Sequence, residues 1–287
     1  MTVTDVNVVK SAIFERPDDA NKGTLGSLLC VCGSYGMAGA AVMSGKGALR
    51  TGIGLAKCAL PRSIYPIVAQ TILESVYYPL SENADGRISK VNVPFLVSES
   101  CKSSATLVGC GLGVCDDTLK IVFSLIENST TPLVLDADAL NCVAKQPEIL
   151  LRKKAPIIIT PHPGEMSRLT GLATPLVNAE RERVALDFAQ KYGVVTVLKG
   201  AGTVIASPNG KVLVNPTGNS GMATGGSGDA LAGMTASILA QVASAFSSAA
   251  AAVYLHGLAG DIAAEKYGKI SMLPTCLLYT SPSPRDA

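Results

Sequence analysis

The segment Asn219 to Gly233 reads NSGMATGGSGDALAG. Gly221, Gly225, Gly226 and Gly228 crowd in before a single acid, Asp229, and the chain then turns apolar. Glycine lets a backbone N–H turn toward an anion with no Cβ in the way. A helix starting near Ser227 adds the partial positive charge of its N-terminus. Gly226, Ser227 and Gly228 therefore form a candidate anion hole. Asp229 beside it is a candidate general base, able to take a proton from a hydroxyl while the amides hold the phosphoryl group under attack. The same residues can also be read as a glycine loop with Asp229 capping a helix.

Other schemes for handling phosphate or metal find no support. A Walker A motif is absent, and neither GLGVCD nor GTLGSLLCVCGSYG satisfies the dinucleotide fingerprint. The eight cysteines, Cys30, Cys32, Cys58, Cys101, Cys110, Cys115, Cys142 and Cys276, include no C-x-x-C pair, and His162 and His256 lie far apart. That spacing argues against zinc and for buried, reduced thiols in a cytoplasmic protein. With 24 Lys+Arg against 22 Asp+Glu, no Trp and 5% aromatics, the chain offers nucleic acid neither a charged face nor a stacking platform. The N-terminus lacks the basic start and apolar core of a signal peptide. Ala230 to Gly260 has no charged residue, but its Ala, Gly and Ser content, with Gln241 and His256 inside, reads as two packed helices rather than a membrane span.

The elements that must carry these residues alternate. GSLLCVCGS reads as a buried strand and AGAAVMSGKGALRTG as a small-residue helix; ATLVGCGLG is a strand and DDTLKIVFSLIEN a helix. TPLVLDADAL is a strand ending in Asp136 and Asp138, and APIIIT a strand running into PHPGE. VNAERERVALDFAQKYG is an amphipathic helix with Gly193 as C-cap, VVTVLKG a strand, and TVIASPNGKVLVN a hairpin turning at Asn209-Gly210. Apolar strands alternating with helices, in a chain 48% hydrophobic and 16% charged, imply an α/β fold: one domain with a mostly parallel sheet covered on both faces. The glycine-rich turns GSYGMAG, GCGLG, PHPGE and KGAGT fall at strand ends and should converge on one cleft.

Five motifs together carry a resemblance: GSYGMAGAAVMSGKGALRTGIGL, LDADALN, ITPHPGEMSRLTG, VLKGAGTVI and NPTGNSGMATGGSGDALAG. Over roughly Gly23 to Met272 the chain resembles the ADP- or ATP-dependent NAD(P)H-hydrate dehydratases, a branch of the ribokinase-like three-layer α/β/α fold. The resemblance implies a lyase acting on the S-epimer of NADH or NADPH hydrate (NADHX, NADPHX). It would phosphorylate the C6 hydroxyl and eliminate phosphate, with Mg²⁺ and ADP or ATP, ADP being favoured. It implies Asp229 as base and substrate contact, with Ala40, Gly113 and His162 also on the substrate. Lys199, Gly200, Ala201, Gly202, Thr203 and Gly228 would hold the nucleotide. Asp136 and Asn141 look like polar site residues that could order Mg²⁺ through water, with helix capping as their alternative; no direct metal ligand is assigned. A homo-oligomer is implied too. A kinase of the same fold acting on a vitamin precursor or sugar, and a non-catalytic nucleotide-binding protein, remain alternatives.

Two departures from the family pattern stand out. Ser220 replaces a usual proline. After residues 1–273, the segment 274–287 (PTCLLYTSPSPRDA) is unlike the family; its prolines predict no regular structure and little buried surface.

Overall fold

The computed structural model describes residues 3–12, 18–242 and 244–281. Its centre is one nine-stranded sheet. Seven strands run parallel: β1 (Ser27–Val31), β2 (Leu55–Pro61), β3 (Val76–Leu80), β4 (Ala105–Val108), β5 (Leu133–Leu135), β6 (Ile157–Ile159) and β7 (Val195–Leu198). The antiparallel hairpin β8 (Val204–Ala206) and β9 (Val212–Val214) completes the order β3-β2-β1-β4-β5-β6-β7-β8-β9.

The strands are apolar nearly throughout because both faces are covered. Leu28, Cys30, Leu107, Val134, Ile158 and Val197 point to one core, shared with α1 (Val6–Ala12), α2 (Ala38–Arg50), α3 (Tyr65–Thr71), α10 (Ser227–Gln241) and α11 (Ala245–Tyr267). Their neighbours Leu29, Val31, Val108, Leu135, Ile159 and Leu198 point to the other. That core is closed by α4 (Val93–Cys101), α5 (Asp116–Asn128), α6 (Asp138–Val143), α7 (Pro163–Thr170), α8 (Thr174–Ala179) and α9 (Arg181–Tyr192). The result is a three-layer α/β/α architecture. Among the described residues no helix is long and apolar enough to cross a membrane. The uncharged stretch forms α10 and α11, as its composition implies.

Small residues set one contact that matters for the site. α2 and α10 cross so closely that a Cβ at Gly47 would lie 2.6 Å from the Ala230 carbonyl oxygen, and one at Gly233 would overlap the Ser44 carbonyl. This crossing holds the N-terminus of α10 over the sheet. β1 lies between β2 and β4, so the winding order reverses between β1 and β4, and ligands of such sheets bind beyond the carboxyl ends of the strands at that point.

The structure differs from the sequence reading in three places. The helix expected from Val177 breaks at Glu180 (φ −124°, ψ 40°) into α8 and α9, while Gly193 caps α9 at φ 64° as expected. β2 and β3 carry weak patterns: Lys57 interrupts the first, and Pro79 in the second is tolerated because β3 is an edge strand. The expectation that 274–287 lacks regular structure is corrected for its first half: α12 (Pro274–Thr280) is a helix. Pro274 occupies the first helical position, where a missing N–H breaks no helical bond. Leu277 and Leu278 are buried, Arg50 Nε donates to the Leu278 carbonyl at 2.6 Å, and Thr280 Oγ1 donates to the Ala259 carbonyl at 2.8 Å. Residues 282–287 lie outside the described residues.

Candidate active site

The carboxyl ends of β4, β5, β6 and β7 deliver four consecutive loops to one place, opposite the N-terminus of α10. From β5 comes Asp136, buried, whose Oδ1 accepts from Lys199 Nζ at 2.6 Å and from Thr160 Oγ1 at 2.7 Å. Lys199 follows β7 and Thr160 follows β6, so the pairing depends on three neighbouring parallel strands. The Cys110 thiol, after β4, donates to Asp136 Oδ2 at 3.7 Å. Glu165 in α7 is buried and places Oε2 3.9 Å from Lys199 Nζ.

Asp229 enters from α10. Its carboxylate, that of Asp136 and the Cys110 sulfur all lie within 4.8 Å of one another. Burial, and next the Asp136 charge, push the Asp229 carboxyl up to about 6. Burial opposes the charge on Lys199, but Asp136 and Glu165 outweigh it and hold that ammonium above its ordinary value. The site thus contains a stable cation and a carboxylate whose proton affinity sits close to neutral pH, the condition a general base needs. Lys199 Nζ lies 3.4 Å from where a Cβ of Gly228 would be, so the cation abuts the first turn of α10.

That first turn is shaped by Gly226, its N-cap, at φ 101°. Helix geometry leaves the amides of Gly228 and Asp229 without an intrahelical acceptor. The Ser227 amide instead donates to the Thr224 carbonyl at 3.2 Å, and Ser227 Oγ lies 3.5 Å from Nε2 of buried His256. Burial drives the His256 ring down to about 4, so it is neutral beneath the helix terminus.

The remaining sequence candidates divide. Ala40 is buried, and a Cβ at Gly111 would meet its Cβ at 2.7 Å; the Gly113 amide donates to Asp138 Oδ2 at 2.8 Å. Both stand beyond the carboxyl ends of neighbouring strands, Ala40 after β1 and Gly113 after β4. His162 is exposed and is the N-cap of α7: its Nδ1 accepts from the amides of Gly164 at 3.0 Å and Glu165 at 3.4 Å, and its own amide donates to Glu165 Oε2 at 2.8 Å. Burial, then Lys199 and Arg168, lower its proton affinity, consistent with a neutral, accepting ring. Asn141 does not join Asp136. Its amide is used by Asp138 Oδ1 at 3.3 Å and Arg168 Nε at 2.8 Å. The two acids of DADAL diverge because Ala137 between them adopts φ 50°, the one positive φ outside glycine among the described residues. Neither acid caps α6 with its side chain.

Gly200, Ala201, Gly202 and Thr203 follow Lys199 around a loop closed by Thr203 Oγ1 donating to the Gly200 carbonyl at 2.9 Å. Arg181 Nη2 donates to the carbonyls of Leu198 at 2.8 Å and Lys199 at 3.1 Å, holding the loop's start. Beside it opens a cavity of about 460 Å³, lined among others by Asn178, Arg181, Arg183, Ala201 and Gly202.

Sequence reasoning missed Cys110, Thr160, Glu165 and Arg181. Glu165 carried a signal, the His162-x-x-Glu165 spacing of a capping box; Arg181 carried none.

A family model for NAD(P)H-hydrate dehydratase matches residues 28–283. The chain belongs to that family. The family match reaches into the segment that looked foreign by sequence. The ADP-dependent (S)-NAD(P)H-hydrate dehydratase of Bacillus subtilis is 32% identical over 267 residues, 92% of this chain and 91% of that protein. The bifunctional NAD(P)H-hydrate repair enzyme Nnr of Thermofilum pendens is 39% identical over 267 residues, 93% of this chain and 51% of that one; the chain spans about half the length of such bifunctional relatives. Among solved structures, the ADP/ATP-dependent dehydratase from B. subtilis co-crystallised with ATP and Mg²⁺ superposes with a TM-score of 0.84 at 30% identity, covering 98% of this chain and 96% of that one. The family's architecture, and this chain's, is ribokinase-like.

Proposed function

We propose that the protein dehydrates the S-epimer of NADH or NADPH hydrate at the expense of ADP or ATP, returning the reduced dinucleotide. Hydroxide is a poor leaving group, so the C6 hydroxyl is first phosphorylated. Asp229 takes the hydroxyl proton as the oxygen attacks the terminal phosphorus of the nucleotide. The amides of Gly226, Ser227 and Gly228 with the α10 dipole receive the transferred phosphoryl group, the Ser227 amide leaving Thr224 to do so. The P–O bond to the nucleotide breaks as the new one forms. The ring nitrogen then expels phosphate from C6, and loss of a C5 proton restores the dihydropyridine. The observation that carries this reading is Asp229 at the start of α10, with a proton affinity near 6 and Lys199 beside it.

Lys199 and the loop to Thr203 are assigned to the nucleotide, and Ala40, Gly113 and His162 to the hydrate. Mg²⁺, when bound, supplies charge neutralisation for the phosphates. Lys199 covers Asp136 Oδ1 and the Cys110 thiol donates to Oδ2, so Asp136 would hold the ion through an ordered water.

The test is to supply purified protein with NADH hydrate and either ADP or ATP and follow the absorbance of the reduced ring. Recovery is expected, faster with ADP. No recovery with either nucleotide, or phosphorylation of a sugar or vitamin precursor without elimination, overturns the reading.

A further inference from the structure

Two side chains, Tyr35 and Arg87, stand beside the loops that follow β1 and β4. Tyr35 stands in a turn closed by the Met37 amide donating to the Ser34 carbonyl at 2.8 Å, with Gly36 at φ 81° in the position that demands it. The turn is anchored on both sides. Ser34 Oγ donates to the Gly111 carbonyl at 2.8 Å, and the Tyr35 amide to the Gly86 carbonyl at 2.9 Å. Yet Tyr35 is 75% exposed. Gly86 lies against its Cβ, so any side chain at 86 would collide with it.

Arg87 is the next residue. Its backbone is fixed by Asn83, whose amide donates to the Arg87 carbonyl at 2.9 Å and whose Oδ1 accepts the Arg87 amide at 3.1 Å. Its side chain lies across Gly113, where a Cβ would come within 2.5 Å of Nε. Its charged end meets exposed Asp85 at 3.5 Å, the Val114 carbonyl at 3.4 Å and the Cys115 thiol; a guanidinium has five N–H donors, so these contacts leave it capacity for an anion. Cys110 touches Asp136, Gly111 touches Ala40, and Gly113 touches Arg87. One loop of four residues therefore links the reaction centre to Arg87, a span of at most about 14 Å, within the length of a dinucleotide.

We propose that Tyr35 and Arg87 form the subsite for the adenosine-phosphate half of the dinucleotide hydrate, Tyr35 stacking on the adenine and Arg87 taking phosphate oxygens. This rests on the hydrate reading of the site. An aromatic face held at the second position of a rigid turn loses little entropy on stacking. A guanidinium with donors to spare is the matching phosphate receptor.

The chain has no tryptophan, so Tyr35→Trp introduces a single indole at this point. Titrated with NAD⁺ and NADP⁺, that variant should show saturable quenching, and nicotinamide mononucleotide should not quench it. Adding Arg87→Ala should weaken dinucleotide binding about tenfold or more. A loss confined to NADP⁺ puts Arg87 on the 2′-phosphate, and an equal loss with both puts it on the bridging diphosphate. Kinetically, Tyr35→Ala should raise KM for NADH hydrate about tenfold with kcat retained. No quenching by either dinucleotide, equal quenching by the mononucleotide, or an unchanged Kd after Arg87→Ala overturns the subsite. The binding arm needs no turnover. Inactivity of the parent protein on hydrates would therefore sink the hydrate reading alone.

Discussion

Two buried polar clusters sit at opposite ends of β4. At its start, Thr106 Oγ1 and Ser129 Oγ flank Ser100 Oγ at 2.9 and 2.7 Å, and Thr131 Oγ1 donates to the Ser100 carbonyl at 2.8 Å. Every member is a neutral hydroxyl with a partner. Beyond its end, Cys110, Asp136, Lys199, Glu165 and Asp229 place one cation among three carboxylates and leave Asp229 with an altered proton affinity. Both clusters are largely buried and hydrogen-bonded, so neither property marks function. What separates them is uncompensated charge beside an open helix terminus. The first cluster joins α4, β4 and the loop after α5; the second stores proton affinity that a reaction can draw on.

The largest effect should come from the charged end. Asp229→Asn is expected to lower kcat by at least about 10²-fold while leaving the fold intact. A variant turning over near the parent rate removes Asp229 from the mechanism. The same substitution should alter stability in the opposite sense. A carboxyl raised from 3.8 to about 6 stabilises the fold only at low pH, and that contribution is lost as pH rises through 6. His256, lowered from 6.5 to about 4, does the reverse: its contribution is present above 6.5 and lost as pH falls through 4. The two oppose each other between about pH 4 and 6, each of order 3 kcal/mol. Asp229→Asn should therefore match or exceed the parent's Tm at pH 7 and lose stability more steeply on acidification. Parallel Tm–pH curves for the two proteins count against this coupling.

The next effect tests α12, whose Pro274 lies beside Gly226. Deleting Cys276 to Ala287 removes Leu277 and Leu278, each worth about 1.5–3 kcal/mol of burial, and uncovers the surface of α2, α10 and α11 that they cover. Tm should fall by about 5 °C or more, with activity of the folded fraction retained. A Tm within about 2 °C of the parent restores the first expectation of a segment that buries little.

The smallest effect belongs to the neutral end. Ser129→Ala should cost about 1–2 kcal/mol, read as a lower midpoint in urea, with kcat and its pH profile unchanged. A change in kcat would show that the two ends of β4 communicate and that the contrast between them is too sharp.

The sequence alone was enough for the elements whose identity depends on near neighbours. Apolar runs ending in glycine mark β1 and β4, Gly193 marks the end of α9, and Asn209-Gly210 marks the hairpin. The glycines before Asp229 mark a helix mouth because only glycine reaches φ 101° at position 226 without strain. Tertiary structure decided what depends on distance. Lys199 meets Asp136 across 63 residues because two strands lie in register on either side of β6. Asn141 and Asp136 look equivalent in DADALN, yet the turn at Ala137 sends Asp138 and Asn141 to another partner. Glu165, Cys110 and the Tyr35–Arg87 pair acquire meaning only from what stands opposite them. The proline-rich look of 274–287 hid a helix, since Pro274 falls at the one turn of a helix that accepts it and Leu277 and Leu278 find cover on α2, α10 and α11. Periodicity and turn chemistry act over a few residues and can be read along the chain. Burial and charge act through space and appear only once the chain has folded.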